Sequence, residues 1–175
     1  IGLDFPHPPY QIEKKYYDLI DESKLQQRIP SIEDTDGKPM METGLRDALG
    51  ISGWEEGRLS EIRRTYLAMC AKVDSQVGRL ISTLRDEGIY DNTAIIVLSD
   101  HGDYTTDYGL VEKCQNCFPD CLTNVPFIIK PPKNISITNV ATRLPYGCNS
   151  FVVALCNTAN SVASSATVIS RRVMI

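Results

Sequence analysis

The sequence predicts an α/β chain, and three observations carry that expectation. Residues 54–87 place an apolar side chain at every third or fourth position, the period of an amphipathic helix. Two short runs, AIIVLS (94–99) and VPFIIK (125–130), are apolar and rich in β-branched residues, as strands are. These pieces follow one another as helix, strand, loop, short helix and strand, which is α/β order.

The 175 residues suffice for one domain with a sizeable core. A formal charge of −4 with no basic stripe gives no electrostatic reason to expect nucleic acid as a partner. The first residue is Ile rather than Met, and no charged-then-apolar leader follows, so the true N-terminus is expected to lie outside this sequence.

The elements can be justified in order. Residues 1–50 are rich in Pro, charge and turn residues, with FPHPPY at 5–10 and DTDGKPM at 34–40. They read as an irregular segment with at most a short helix, not as a core layer. In the long helix, Ile62, Tyr66, Met69, Val73, Val77, Leu80 and Leu84 build one apolar stripe. Glu55, Glu56 and Glu61 in its early turns and Arg85 near its end match the helix dipole. Gly88 is placed for a left-handed stop. The continuous apolar run AIIVLS suits a strand buried on both faces, as in a parallel sheet. VPFIIK is closed by Pro131-Pro132. The segment 148–170 carries no charge, yet its many Asn, Ser and Thr argue against a membrane span. A buried helix and a poorly folding segment both remain open there.

Six cysteines, at 70, 114, 117, 121, 148 and 156, read as reduced thiols, because a chain of this size needs no disulfide staples. Unpaired thiols tip the expected compartment toward the cytoplasm. Cys114, Cys117 and Cys121 are spaced i, i+3, i+7, one face of a short helix. With Cys148 or Cys156 they could form part of a zinc or iron–sulfur site; small apolar side chains on a buried face explain the same spacing without metal. The first reading would make the chain a non-catalytic zinc or redox module.

The stretch IIVLSDHGDY (95–104) poses the chemical question, because an apolar run ends abruptly in Asp100-His101-Gly102-Asp103. Adjacent side chains on a true strand point to opposite faces, so Asp100 and His101 can share one ion only where the strand has already broken into a turn. Gly102 would allow that turn. A carboxylate oxygen and an imidazole nitrogen are common ligands of divalent metals. A solvent-exposed turn with an incidental His fits the spacing equally well.

A longer pattern resolves the choice. The run YLAMCAKVDSQVGRLISTLRDEGIYDNTAIIVLSDHGD, then GLVEK, then VPFIIKPP, resembles the sulfatase family of the alkaline phosphatase superfamily. In that family a V-D-x-Q-V-G-R-L helix leads into a strand ending S-D-[HN]-G, followed by a loop lysine and a V-P-[FL]-I-[IV] strand. FPHPPY is similar to the family's Pro-His-Pro segment upstream of the helix. The resemblance implies a partial alkaline-phosphatase-like mixed sheet flanked by helices, with its N-terminal half missing. Residues 1–145 would be the partial catalytic domain and 146–175 an atypical tail. Acids vanish after Asp120, where the family continues with an acidic residue, and a reading-frame change or truncated product would account for that.

The resemblance also implies roles. Asp100 and His101 would be ligands of one divalent cation: calcium by family resemblance, manganese or zinc by the presence of an imidazole. Lys113 would contact the sulfate; taken alone it reads as a surface lysine. His7 would contact the sulfate and protonate the leaving oxygen; taken alone it reads equally as a loop residue. The implied partner is a small-molecule or glycan sulfate ester, with no nucleic acid, no membrane and the oligomeric state open. The family's nucleophile, a formylglycine made from a C/S-x-P-x-R motif, and its Asp-Asp metal pair have no counterpart here. Cys117-Phe118-Pro119-Asp120-Cys121 lacks the Arg and falls after the S-D-H-G segment. The isolated chain is therefore expected to bind metal weakly, because a hard cation wants six or more donors, and not to turn over a sulfate ester. A phosphonate or phosphodiester hydrolase of the same superfamily is the alternative, since a His at that position also occurs there.

Overall fold

The computed structural model describes residues 1–31, 40–135 and 151–157. In chain order the main elements are β1 (Gly2–Leu3), α1 (Lys14–Tyr17), α2 (Met40–Ala48), α3 (Glu56–Asp86), β2 (Thr93–Leu98), α4 (Asp120–Thr123), β3 (Phe127–Lys130) and β4 (Phe151–Asn157). They divide into two compact units. One contains residues 1–4, 74–101 and 125–175; the other contains residues 5–73 and 102–124.

The first unit is built on a four-stranded sheet in the order β1-β4-β2-β3. Ile96 of β2 lies opposite Ile129 of β3 on one side and Ala154 of β4 on the other. One face of β2 presents Ile95 and Val97, which pack with Val77, Leu80, Ile81 and Leu84 of α3. Helical spacing thus meets strand alternation, each element turning its apolar positions to the other. The helix ends as its sequence predicts. Gly88 takes φ +68°, its N–H reaches Arg85 O at 3.0 Å, and the Ile89 N–H reaches Leu84 O at 3.0 Å. This is the Schellman pattern, which satisfies carbonyls the last turn would otherwise leave open.

Two expectations need correction. Among the described residues every strand pairing is antiparallel, which differs from the parallel sheet expected. The apolar run reflects the central position of β2, flanked by strands on both sides, and a central strand reads alike in either kind of sheet. Its second face, Ala94, Ile96 and Leu98, is only half buried. Within the uncharged tail, residues 151–157 form a strand rather than a buried helix, and they pair along the whole of β2. The remainder of that tail, with Cys148, lies outside the described residues.

The second unit has its own core of Ile51, Tyr104, Leu110, Val111, Cys117 and Leu122, with Tyr10, Leu45, Trp54 and Ile62 packed against it. The first half of α3 contributes the buried Leu59, Ala68, Met69 and Val73. The N-terminal segment is less peripheral than its composition suggests. Tyr10 and α2 join the core, and β1 joins the sheet of the first unit. Ion pairs fasten the segment to the second unit: Lys72–Glu13 at 2.9 Å and Arg28–Glu56 at 2.7 Å. Among the described residues no helix is long and apolar enough to cross a membrane.

Candidate active site

In the first unit, β2 stops at Leu98 and the chain breaks at once into a turn. The Ser99 hydroxyl donates to the His101 carbonyl at 2.8 Å, a local bond that competes with the sheet ladder. The turn brings Asp100 and His101 together as the motif predicts. His101 Nε2 lies 3.5 Å from Asp100 Oδ2. The Asp100 side chain is 4% exposed and that of His101 31%. Asp100 Oδ1 accepts a long bond from the Ser99 hydroxyl, 3.3 Å, while Oδ2 is buried without a hydrogen-bond partner.

A buried carboxylate oxygen left without a partner is costly, and a cation is one group that removes the cost. Oxygen and nitrogen donors side by side suit a divalent ion of hard or borderline character. The pair fits one edge of a coordination shell. Among the described residues no group of three or more His, Cys, Asp or Glu is placed to hold a metal, so this edge is all that they supply.

The second unit brings together the other two residues singled out by sequence. His7 Nδ1 is 2.8 Å from its neighbour's carbonyl, Pro8 O, and Lys113 Nζ is 2.9 Å from His7 Nε2. A carbonyl can only accept, so Nδ1 carries the proton and Nε2 presents its lone pair to the ammonium. The peptide bonds Phe5–Pro6 and Pro8–Pro9 on either side of His7 are cis.

The loop that carries Lys113 closes on itself. Tyr104 N–H donates to Glu112 O at 2.9 Å and Thr106 N–H to Leu110 O at 2.8 Å. Five non-glycine residues here, Thr105, Thr106, Tyr108, Glu112 and Asn116, hold positive φ. That backbone costs roughly 1–2 kcal/mol per residue, so contacts around it must hold it. Several do. Tyr104 is fully buried, and its hydroxyl donates to the buried Glu42 at 2.9 Å. Asp103 accepts from Thr105 N–H at 2.7 Å and from the Tyr10 hydroxyl at 2.8 Å. Burial pushes the Asp103 carboxyl up, while those donors pull the other way.

Gly102 serves a purpose other than the one its motif suggests. It does not use positive φ. A Cβ at this position would lie 1.9 Å from the Cys121 carbonyl oxygen, so the residue is small because another stretch of backbone passes against it.

Among the described residues, the three clustered cysteines do not share a helical face. Only Cys121 of the three lies in α4, and the segment before it is not helical, so the expected single helical face does not form. Cys70, Cys114, Cys117 and Cys121 are free thiols. Burial pushes the thiols of Cys70, Cys114 and Cys121 up to about 12. Such thiols stay protonated at neutral pH. At pH 8 these three are expected to react with a thiolate-selective disulfide reagent at least about a hundredfold more slowly in the native chain than in urea. Native reaction as fast as that of the unfolded chain would contradict the packed-thiol reading.

The family model of the sulfatases matches residues 2–165. The chain belongs to the sulfatase family. Human iduronate 2-sulfatase is 31% identical over 162 residues, covering 83% of this chain and 29% of that protein. Choline-sulfatase of Rhizobium meliloti is 30% identical over 135 residues, covering 75% of this chain and 26% of that protein. The chain thus spans between a quarter and a third of these relatives' length. Among solved structures, a phosphonate monoester hydrolase of Agrobacterium radiobacter superposes with a TM-score of 0.57 at 26% identity, over 73% of this chain and 28% of that one. This neighbour agrees with the expected superfamily fold. Members of the sulfatase family generally use a divalent metal ion.

Proposed function

We propose that this chain is part of an enzyme that hydrolyses a sulfate ester with the help of a divalent cation. The observation that carries the reading is the buried, unpartnered Asp100 oxygen beside His101, at the strand end of a chain matched by the sulfatase family over residues 2–165. Asp100 and His101 would hold the cation, which stabilises the negative oxygens of the ester group when bound. Calcium follows from the family resemblance, and manganese or zinc from the imidazole donor.

Lys113 and His7 would act on the sulfate as a unit. In the geometry described, the Lys113 ammonium occupies the lone pair of His7 Nε2. An anionic sulfate offers that ammonium a stronger acceptor. As Lys113 turns toward the sulfate, Nε2 becomes free to take up a proton from solvent water and pass it to the departing alcohol oxygen. Ammonium and imidazole would thus exchange roles on substrate binding. The substrate belongs to the broad class of small-molecule or glycan sulfate esters.

The second reading is a phosphonate or phosphodiester hydrolase, favoured by the structural neighbour in Agrobacterium radiobacter. Turnover of 4-nitrophenyl sulfate and of a phenyl phosphonate monoester by the full-length protein separates the two. The sulfate is expected to be hydrolysed faster, with activity lost in Asp100→Ala. Preference for the phosphonate by tenfold or more would replace the first reading by the second.

A further inference from the structure

We infer that Tyr10 is a positioning residue whose hydroxyl joins the His7 segment to both stems of the Lys113 loop and so holds the two side chains in contact. The inference rests on the reading of His7 and Lys113 as the sulfate-contacting pair.

The hydroxyl uses both its capacities. It donates to the Asp103 carboxylate, 2.8 Å to Oδ2 and 3.1 Å to Oδ1, and accepts from the Glu112 N–H at 2.8 Å. Asp103 immediately precedes the loop 104–112, and Glu112 closes it. Glu112 immediately precedes Lys113, and Tyr10 follows His7 by three residues. One oxygen atom therefore ties the chain on which the imidazole rides to the chain on which the ammonium rides.

The backbone shows why such a tie is required. Glu112 sits at φ +62°, a conformation that a residue with a side chain does not adopt unaided. Its N–H points to Tyr10 Oη, and its carbonyl accepts from Tyr104 N–H at 2.9 Å. Removing the first of these leaves the left-handed residue held from one side only, directly before Lys113. Asp103 is anchored independently by the Thr105 N–H at 2.7 Å and the Thr105 hydroxyl at 3.2 Å, so it offers Tyr10 a fixed acceptor. The Tyr10 ring stands edge-on to Tyr66, centroids 6.4 Å apart, a contact that a phenylalanine would keep. Tyr10→Phe thus removes the tie and spares the packing.

The test reads His7 directly. In the ¹⁵N-histidine-labelled chain, the wild type is expected to show His7 with a protonated Nδ1 and an unprotonated Nε2. Tyr10→Phe is expected to move it toward the Nε2–H form that a free imidazole favours. The same variant is expected to weaken inorganic sulfate binding, followed on the His7 and Lys113 resonances, by at least about fivefold, the equivalent of one ordinary hydrogen bond. Tyr17→Phe, which loses an exposed hydroxyl bonded to Glu61, is expected to change neither. Asp103→Ala, which removes the acceptor and leaves the Tyr10 ring, is expected to shift His7 in the same direction as Tyr10→Phe. Wild-type His7 signals in both Tyr10→Phe and Asp103→Ala would overturn the inference. A shift in His7 in a chain whose wild type binds no sulfate would support the positioning role while removing the functional reading beneath it.

Discussion

Gly102→Ala is expected to lower the stability of the chain by about 3 kcal/mol or more, at or above the top of the usual range for overpacking. The added methyl would meet the Cys121 carbonyl oxygen at 1.9 Å and the carbonyl carbon at 2.9 Å. Neither belongs to a side chain that can rotate away, so backbone must move. The same neighbourhood holds the Gly102 N–H bond to Leu122 O at 2.8 Å, and Leu122 is a core residue of that unit. Moving the two segments apart would therefore break a hydrogen bond and open the core together. Urea unfolding measures this as a lower midpoint with the slope retained. An unchanged midpoint would mean that the close approach of Gly102 to Cys121 is not a feature of the folded chain.

Tyr104→Ala is expected to cost about 3–5 kcal/mol, the range for emptying a large aromatic from a core. The ring is fully buried with Leu110, Val111 and Leu122 around it, and stands edge-on to Tyr108 at 6.3 Å. Its hydroxyl also donates to Glu42, which is 5% exposed. Tyr104→Phe separates the two contributions. It keeps the ring and removes only that donor, so a loss of about 1–3 kcal/mol is expected. Equal losses in the two variants would show that the hydrogen bond, not the packed ring, carries the stability.

The parts of the fold that local chemistry determines were legible in the sequence. The apolar stripe of α3 is a direct reading of the helical period, and it falls within two residues of the observed ends. Gly88 is a stop because only its neighbours' carbonyls and its own φ matter. Strand direction is different. Whether β2 lies beside parallel or antiparallel partners is set by segments far away in the chain, and β4 is a short apolar run, FVVALC, that periodicity does not tell from a buried helix. The charged pairs divide in the same way. Asp100 and His101 are adjacent in sequence, so a turn suffices to bring them together. His7 and Lys113 are 106 residues apart, and their meeting depends on Tyr10, Asp103 and Glu112. Tyr10 and Asp103 stand within the motifs FPHPPY and SDHGD, where a tyrosine and an acid look incidental. A hydroxyl and a carboxylate flanking the two histidines were the available signal, but which of them meet is a tertiary fact. Gly102 was recognised, and for the wrong reason, because a close backbone approach leaves no trace in local sequence.

The most direct test of the cation site is calorimetric titration of the chain with manganese and with calcium, in wild type, Asp100→Asn and His101→Ala. Two donors are few for either ion, so weak saturable binding with a dissociation constant of order 10⁻³ M is predicted. Both substitutions are predicted to abolish it. Binding of the same strength in either variant would contradict the assignment of Asp100 and His101 as the cation's ligands.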